Sequence, residues 1–177
     1  MGHRIASAYE ARSRVSKVKI IEFADLECPF CSRFNATLKD VAAHYPKDVA
    51  VVFVHFPLGM HRFARSAARV AECGEREGRF FPMVDALYQK QDSFGLRPWS
   101  SYARDAGIRD TVSFVQCAGD TVTIPAIARG EAAARKLNLM GTPSILLNDW
   151  HFGSTPTQPQ LVQAIDDVLA GRSSYRR

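Results

Sequence analysis

The sequence predicts an α/β fold in the order βαβ, then a helical insertion, then ββα, and three observations carry that prediction. An apolar run, Val18-Lys19-Ile20-Ile21-Glu22-Phe23-Ala24, leads into Cys28-Pro29-Phe30-Cys31 and then into the helical stretch Ser32 to His44. A β-branched and aromatic run follows at Asp48 to Phe56. From Arg62 to about Leu139 the apolar spacing is that of helices, and strand patterns return only at Pro143 to Leu147 and Trp150 to Phe152.

Each element has its own reason. The first run is apolar on both faces, as a buried strand requires. In the second, Val49, Val51, Val52, Phe53 and Val54 are nearly continuous, which predicts a central strand covered on both sides. Within the middle stretch, Phe63, Ala67, Val70 and Ala71 share one helical face, and Phe80, Val84, Leu87 and Tyr88 share the next. Gly74, Gly78, Gly95, Pro98, Gly107, Gly119 and Pro125 divide this stretch into several short helices. Asn148-Asp149 reads as a tight turn, although Asn-Asp is a weaker hairpin signal than Asn-Gly. A last amphipathic helix runs from about Pro159 to Ala170, with Leu161, Ile165, Val168 and Leu169 on one face and Gly171 at its end.

Composition bounds the function. A chain of 177 residues, 46% hydrophobic, suffices for one compact domain, here residues 15–170 with an insertion at about 62–139 and polar tails at 1–14 and 171–177. The net charge of +5 spreads 23 basic residues among 18 acidic ones. No basic run with interleaved aromatics precedes the short tail Arg172 to Arg177, so nucleic acid is not the expected partner. No stretch is long and apolar enough for a membrane span, and residues 1–16 lack the apolar core of a signal peptide. Met1-Gly2-His3 is also compatible with a start placed after a removed targeting segment.

The chemistry concentrates in Cys28-Pro29-Phe30-Cys31. A cysteine where a strand hands over to a helix meets unpaired N–H groups and the positive end of the helix dipole, and both favour thiolate over thiol. The second cysteine, one helical turn on, is placed to attack a mixed disulfide formed on the first. Two other readings compete with this one. A structural zinc needs four ligands, and no second CxxC or HxxxH accompanies this one; two inert buried thiols are the blander alternative. Neither metal nor cofactor is expected. His55 and His61 read as packed or solvated side chains.

Several of these residues carry a resemblance. Ile21-Glu22-Phe23-Ala24-Asp25 before the CxxC, His55-Phe56-Pro57-Leu58 with His61, Phe80-Phe81, and Gly141-Thr142-Pro143 together make the sequence similar, over roughly residues 15–170, to DsbA-type proteins. These are thiol–disulfide oxidoreductases in which a helical domain is inserted into a thioredoxin fold. The resemblance implies that Cys28 is the exposed nucleophile and Cys31 the buried resolving thiol. It implies that Thr142–Pro143 is a cis bond presenting the Thr142 backbone to a substrate strand, where an isolated Thr-Pro would be an ordinary loop end. Pro29 at an early helix position forfeits no hydrogen bond. Phe30 departs from the best-known member, which has His there, and so predicts only a modest lowering of the Cys28 thiol.

Glu22 is implied to be a buried carboxylate that manages the Cys31 proton, against the alternative of a solvated acid. Some members carry an extra disulfide in the insertion, which makes Cys73–Cys117 a candidate pair; the alternative is two buried thiols. The expected activity is introduction of disulfides into substrate proteins with cysteines, outside the cytoplasm, in the periplasm or cell envelope. A membrane or soluble redox partner would reset the CxxC. The expected state is a monomer; about seventeen residues precede the first strand, so the dimerisation domain usual in isomerases of this fold is expected to be missing, which counts against an isomerase. The rivals are a reductase or isomerase on the same fold, and a non-catalytic domain of a membrane-associated fusion.

Overall fold

A computed structural model describes residues 16–172. The tails expected at 1–14 and 171–177 therefore fall, apart from Gly171 and Arg172, outside the described residues. The described residues divide into two compact units: 16–23 with Arg33–Val54 and 143–172, and Ala24–Ser32 with His55–Thr142.

The first unit holds a four-stranded sheet. β1 (Val18–Ala24) lies between β2 (Val49–His55) and β3 (Ser144–Leu147), and β4 (Trp150–His151) follows β3, giving the order β2-β1-β3-β4. β1 and β3 are antiparallel, with Ile20 opposite Leu147 and Glu22 opposite Ile145, and β3 and β4 are antiparallel as well. β1 and β2 are parallel: Val18 N–H donates to Asp48 at one end and Phe56 N–H donates to Ala24 at the other. The final residues of β1 and β2, Ala24 and His55, belong to the second unit.

β2 corrects the sequence reading. Among the described residues it is an edge strand, and positions 51–54 are only half-buried. Continuous β-branched sequence reports preference for an extended backbone, whereas depth in the sheet depends on which strand a distant segment pairs with. Here β3 pairs with β1 and makes β1 the central strand.

Helices α1 (Pro29–His44) and, near the C-terminus, α7 (Gln158–Leu169) supply the rest of this core. Phe34, Leu38 and Val41 of α1 and Leu161, Ala164 and Ile165 of α7 recur at three- and four-residue spacing and pack with Val18, Ile20, Val49, Ile145 and Leu147. Burying each large aliphatic side chain is worth about 1.5–3 kcal/mol. α7 starts on a capping box, in which Thr157 accepts from Gln160 N–H and the Gln160 side chain accepts from Thr157 N–H. Asn148 adopts φ 52° at the β3–β4 turn, and its side-chain oxygen accepts Lys19 N–H at 2.8 Å. The Asn-Asp turn is thereby anchored to β1.

The second unit is helical: α2 (Ala64–Arg76), α3 (Phe80–Gln89), a 3₁₀ turn (Gln91–Ser93), α4 (Trp99–Asp105), α5 (Thr111–Gly119) and α6 (Pro125–Lys136). α2 packs against α3, α5 and α6. Its buried face is mostly alanine, Ala64, Ala67, Ala68 and Ala71, which lets neighbouring helices come close. Gly74 continues that face: a Cβ there would lie 2.9 Å from Met83 Cβ. A disulfide joins Cys73 in α2 to Cys117 in α5, with Cα atoms 5.9 Å apart. Both helices run on past their cysteines, to Arg76 and Gly119. Among the described residues no helix is long and apolar enough to cross a membrane, and no cluster of three metal-ligating side chains occurs.

Candidate active site

The site is built on the start of α1. This helix begins at Pro29, three residues earlier than its apolar spacing implied, because proline at the first helical position sacrifices no hydrogen bond. Cys28 is therefore the N-cap: its carbonyl accepts Ser32 N–H at 3.2 Å, the first bond of the helix. At an N-cap a side-chain acceptor meets the N–H groups two and three residues on. Here that acceptor is sulfur, stabilised as an anion by the Phe30 and Cys31 N–H groups.

Both cysteines are free thiols. The Cys28 thiol is lowered from 9.0 to about 5. The largest cause is a hydrogen bond from the Cys31 side chain; burial opposes it, and the Thr142 side chain and the two N–H groups reinforce it. The lowering exceeds what Phe30 suggested, because Cys31, Thr142 and the helix start do the work without a histidine between the cysteines.

Thr142 contributes twice. In the thiol form Cys28 Sγ donates to the Thr142 carbonyl at 3.4 Å. The Thr142 hydroxyl is buried and has no hydrogen-bond partner among the described residues while Cys28 is a thiol, and its side chain helps stabilise the thiolate. The carbonyl receives the thiol proton, and once that proton is gone the hydroxyl can turn its own toward sulfur.

The expected exposure contrast needs correction. Cys28 is 4% exposed and Cys31 0%, so both thiols are buried. A cysteine at a helix start is open only if no other segment covers it, and here the chain at Thr142 returns to the sulfur. Phe30, by contrast, is 62% exposed beside the pair.

The remaining candidates fall in different places. Glu22 lies in central strand β1 at 1% exposure, so the solvated alternative does not hold. Pro143 is buried at the start of the segment leading into β3, and its carbonyl accepts the Thr155 hydroxyl at 3.4 Å. Glu22 and Pro143 belong to the first unit, whereas Cys28, Pro29, Phe30, Cys31 and Thr142 belong to the second, as do Cys73 and Cys117.

Sequence reasoning passed over Asp25, Glu27 and Gln91, and it read His61 as merely packed or solvated, whereas its ring is paired with Asp25. Asp25 is 1% exposed and ties two loops together: its Oδ1 accepts Glu27 N–H, and its Oδ2 accepts both Leu58 N–H at 2.8 Å and the His61 Nδ1 donor at 2.7 Å. Its carbonyl accepts Cys28 N–H at 3.1 Å. Glu27 accepts Phe63 N–H, and the Gln91 side chain donates to the Leu26 and Cys28 carbonyls. Asp25 and His61 were visible within the resembling motifs, but nothing in the sequence paired them.

A dithiol at the start of the helix that follows a central strand, in a mixed sheet with helices inserted before its antiparallel half, defines the thioredoxin-like thiol–disulfide oxidoreductase fold. A family model described as thioredoxin matches residues 13–167, and the chain belongs to this family. It is similar to DsbA2 of Pseudomonas aeruginosa, with 28% identity, TM-score 0.71, and coverage of 89% of this chain and 91% of that one. It is also similar to a thioredoxin-like oxidoreductase from Silicibacter pomeroyi DSS-3, with 26% identity, TM-score 0.75 and 90% coverage of both chains. A Na(+)/H(+) antiporter NhaA 1 from Mycolicibacterium gilvum (strain PYR-GCK) is 31% identical over 156 residues, which are 86% of this chain and 25% of that protein. The chain thus spans about a quarter of the length of the curated relatives it matches.

Proposed function

We propose that this chain introduces disulfides into other polypeptides through Cys28 and Cys31. The observation that carries the reading is the Cys28 thiol lowered to about 5. A stable thiolate is a good leaving group and makes the reduced dithiol the favoured product, which is the property of a disulfide donor.

A substrate thiolate attacks Cys28 of the oxidised pair; the Cys28–Cys31 bond breaks, and Cys31 leaves with the electron pair. A second substrate thiolate attacks the substrate sulfur of this mixed disulfide and expels Cys28 as thiolate. The substrate has lost two electrons and the CxxC has gained them, until the disulfide of a membrane or soluble redox partner takes them away. Pro29 and Phe30 set the helix start, the Thr142-Pro143 backbone receives the substrate strand, and buried Glu22 manages the Cys31 proton. The Cys73–Cys117 bond supports an extracytoplasmic location, where such bonds persist.

Turnover tests this directly. With glutathione disulfide as terminal oxidant, catalytic amounts of the protein should speed the oxidation of a reduced, unfolded polypeptide, and Cys28→Ser should abolish the effect. Preferential reduction of substrate disulfides under the same poise would replace the oxidase with a reductase or isomerase. A second reading, a domain of a membrane-associated fusion, is favoured by the antiporter relatives, each far longer than this chain. It is separated by asking whether the protein in its native host migrates at its own mass or at that of a larger membrane protein.

A further inference from the structure

The Asp25–His61 pair sits beside the dithiol without a part in the scheme above, and it has the form of a built device. Asp25 is fully buried, yet every bond it makes serves the site: its carbonyl holds Cys28 N–H, one carboxylate oxygen holds the Glu27 N–H, and the other holds the loop of Leu58 together with the His61 ring. His61 is partly open, with a side-chain exposure of 22%, so its second ring nitrogen can exchange protons with water. The charged groups that act on it are Asp25, Cys28 and Glu27, all anionic when ionised. Burial disfavours the imidazolium, but the Asp25 hydrogen bond and the three negative charges outweigh it and hold His61 above its usual value.

Phe30 places no charge between the cysteines, so any side-chain cation near the thiolate comes from another part of the chain. We propose that His61, oriented by Asp25, is that cation, and that reduction of the Cys28–Cys31 disulfide is coupled to uptake of a proton on His61. The inference rests on the oxidase reading and adds the fate of the protons. Oxidising two substrate thiols releases two electrons and two protons. Both electrons go to the enzyme disulfide; one proton ends on Cys31 and the other on His61, leaving Cys28 as thiolate. A neutral disulfide and a neutral imidazole become a thiolate and an imidazolium, so the net charge of the site does not change and the new anion is not left unpaired in a buried place.

Relative size sets what to measure. At Cys28 the hydrogen bond from Cys31 leads, burial opposes it, and Thr142 and two N–H groups follow; at His61 the Cys28 charge ranks after Asp25. His61 is accordingly a positioning residue that tunes the thiolate without touching the reacting bond. His61→Gln preserves a donor for Asp25 and removes the charge, and His61→Lys restores the charge. In the reduced proteins, thiolate absorbance against pH should show His61→Gln holding about three- to tenfold less thiolate on the acid side of its midpoint than wild type, with His61→Lys close to wild type. The equilibrium with glutathione should move by the same factor toward the oxidised form in His61→Gln.

NMR titration of His61 in the wild-type protein covers the case of a variant that does not fold: its midpoint should be higher in the reduced state than in the oxidised state. Equal His61 midpoints in the two states, or superimposable thiolate titrations of wild type and a folded His61→Gln, would overturn the proposal. Neither measurement uses a protein substrate, so a failure of the oxidase reading shows in the turnover assay and a failure of this one shows here.

Discussion

At the scale of single residues, Cys28 decides most of the chemistry, and two measurements test it. Alkylation of the reduced protein should label Cys28 ahead of Cys31, with a rate that rises with pH through a midpoint near 5. Burial of both sulfurs slows the reaction but leaves that midpoint in place; labelling of Cys31 first would exchange the two roles. The same lowering makes a stability prediction. The folded pKa of Cys28 lies below its unfolded value of about 9, so the reduced protein carries the full stabilisation above pH 9 and loses it as pH falls through about 5. The oxidised protein has no such group. Denaturant melts should find the reduced form favoured by on the order of 2 kcal/mol near pH 7, with the gap closed below pH 5. A gap that is flat with pH would remove the thiolate from the account.

At the scale of elements, α7 and the turn before α4 are the places where one substitution should be felt. Thr157→Ala removes the capping box of α7 and should cost about 1 kcal/mol, read as a lower urea midpoint with an unchanged slope. Gly95 lies at φ 80°, and a Cβ there would meet Phe63 Cζ at 2.5 Å, inside an aromatic cluster of Phe63, Phe94, Trp99 and Tyr102. Gly95→Ala should cost about 1–3 kcal/mol and, because Glu27 holds the Phe63 N–H, should also disturb thiolate titration. Unchanged melting and unchanged titration would show that the ring simply turns aside. Elements of this kind were legible in the sequence wherever their signal is local. Period 3.6 marked the helices, the β-branched run marked β2, and Cys28 and Cys31 stood at a strand-to-helix junction. What escaped depends on contacts between distant segments. The position of β2 in the sheet needs the β1–β3 pairing, the cover over Cys28 needs the return of the chain at Thr142, and Asp25 meets His61 only after two loops have folded together.

At the scale of the whole molecule, the Cys73–Cys117 bond closes a loop with a separation of 44 residues inside the helical unit. Removing it in a Cys73→Ser/Cys117→Ser protein should lower stability by about 4 kcal/mol in the chain-entropy account. Reductant mild enough to open Cys28–Cys31 should leave it closed, so mass-resolved thiol counting at that poise should find two free thiols; four would show that the second bond is as labile as the first. The partition of the chain has a consequence for anyone who would borrow or exchange its parts. The helical unit is sewn from two stretches, Ala24–Ser32 and His55–Thr142, and the dithiol arrives on the short one while Thr142, His61 and Gln91 arrive on the long one. A chimera cut at the ends of the long stretch, as the linear order of strands and helices invites, would transplant the surroundings of Cys28 and leave the cysteine behind. The transferable module is discontinuous, and its smaller piece is the nine residues that contain the CxxC.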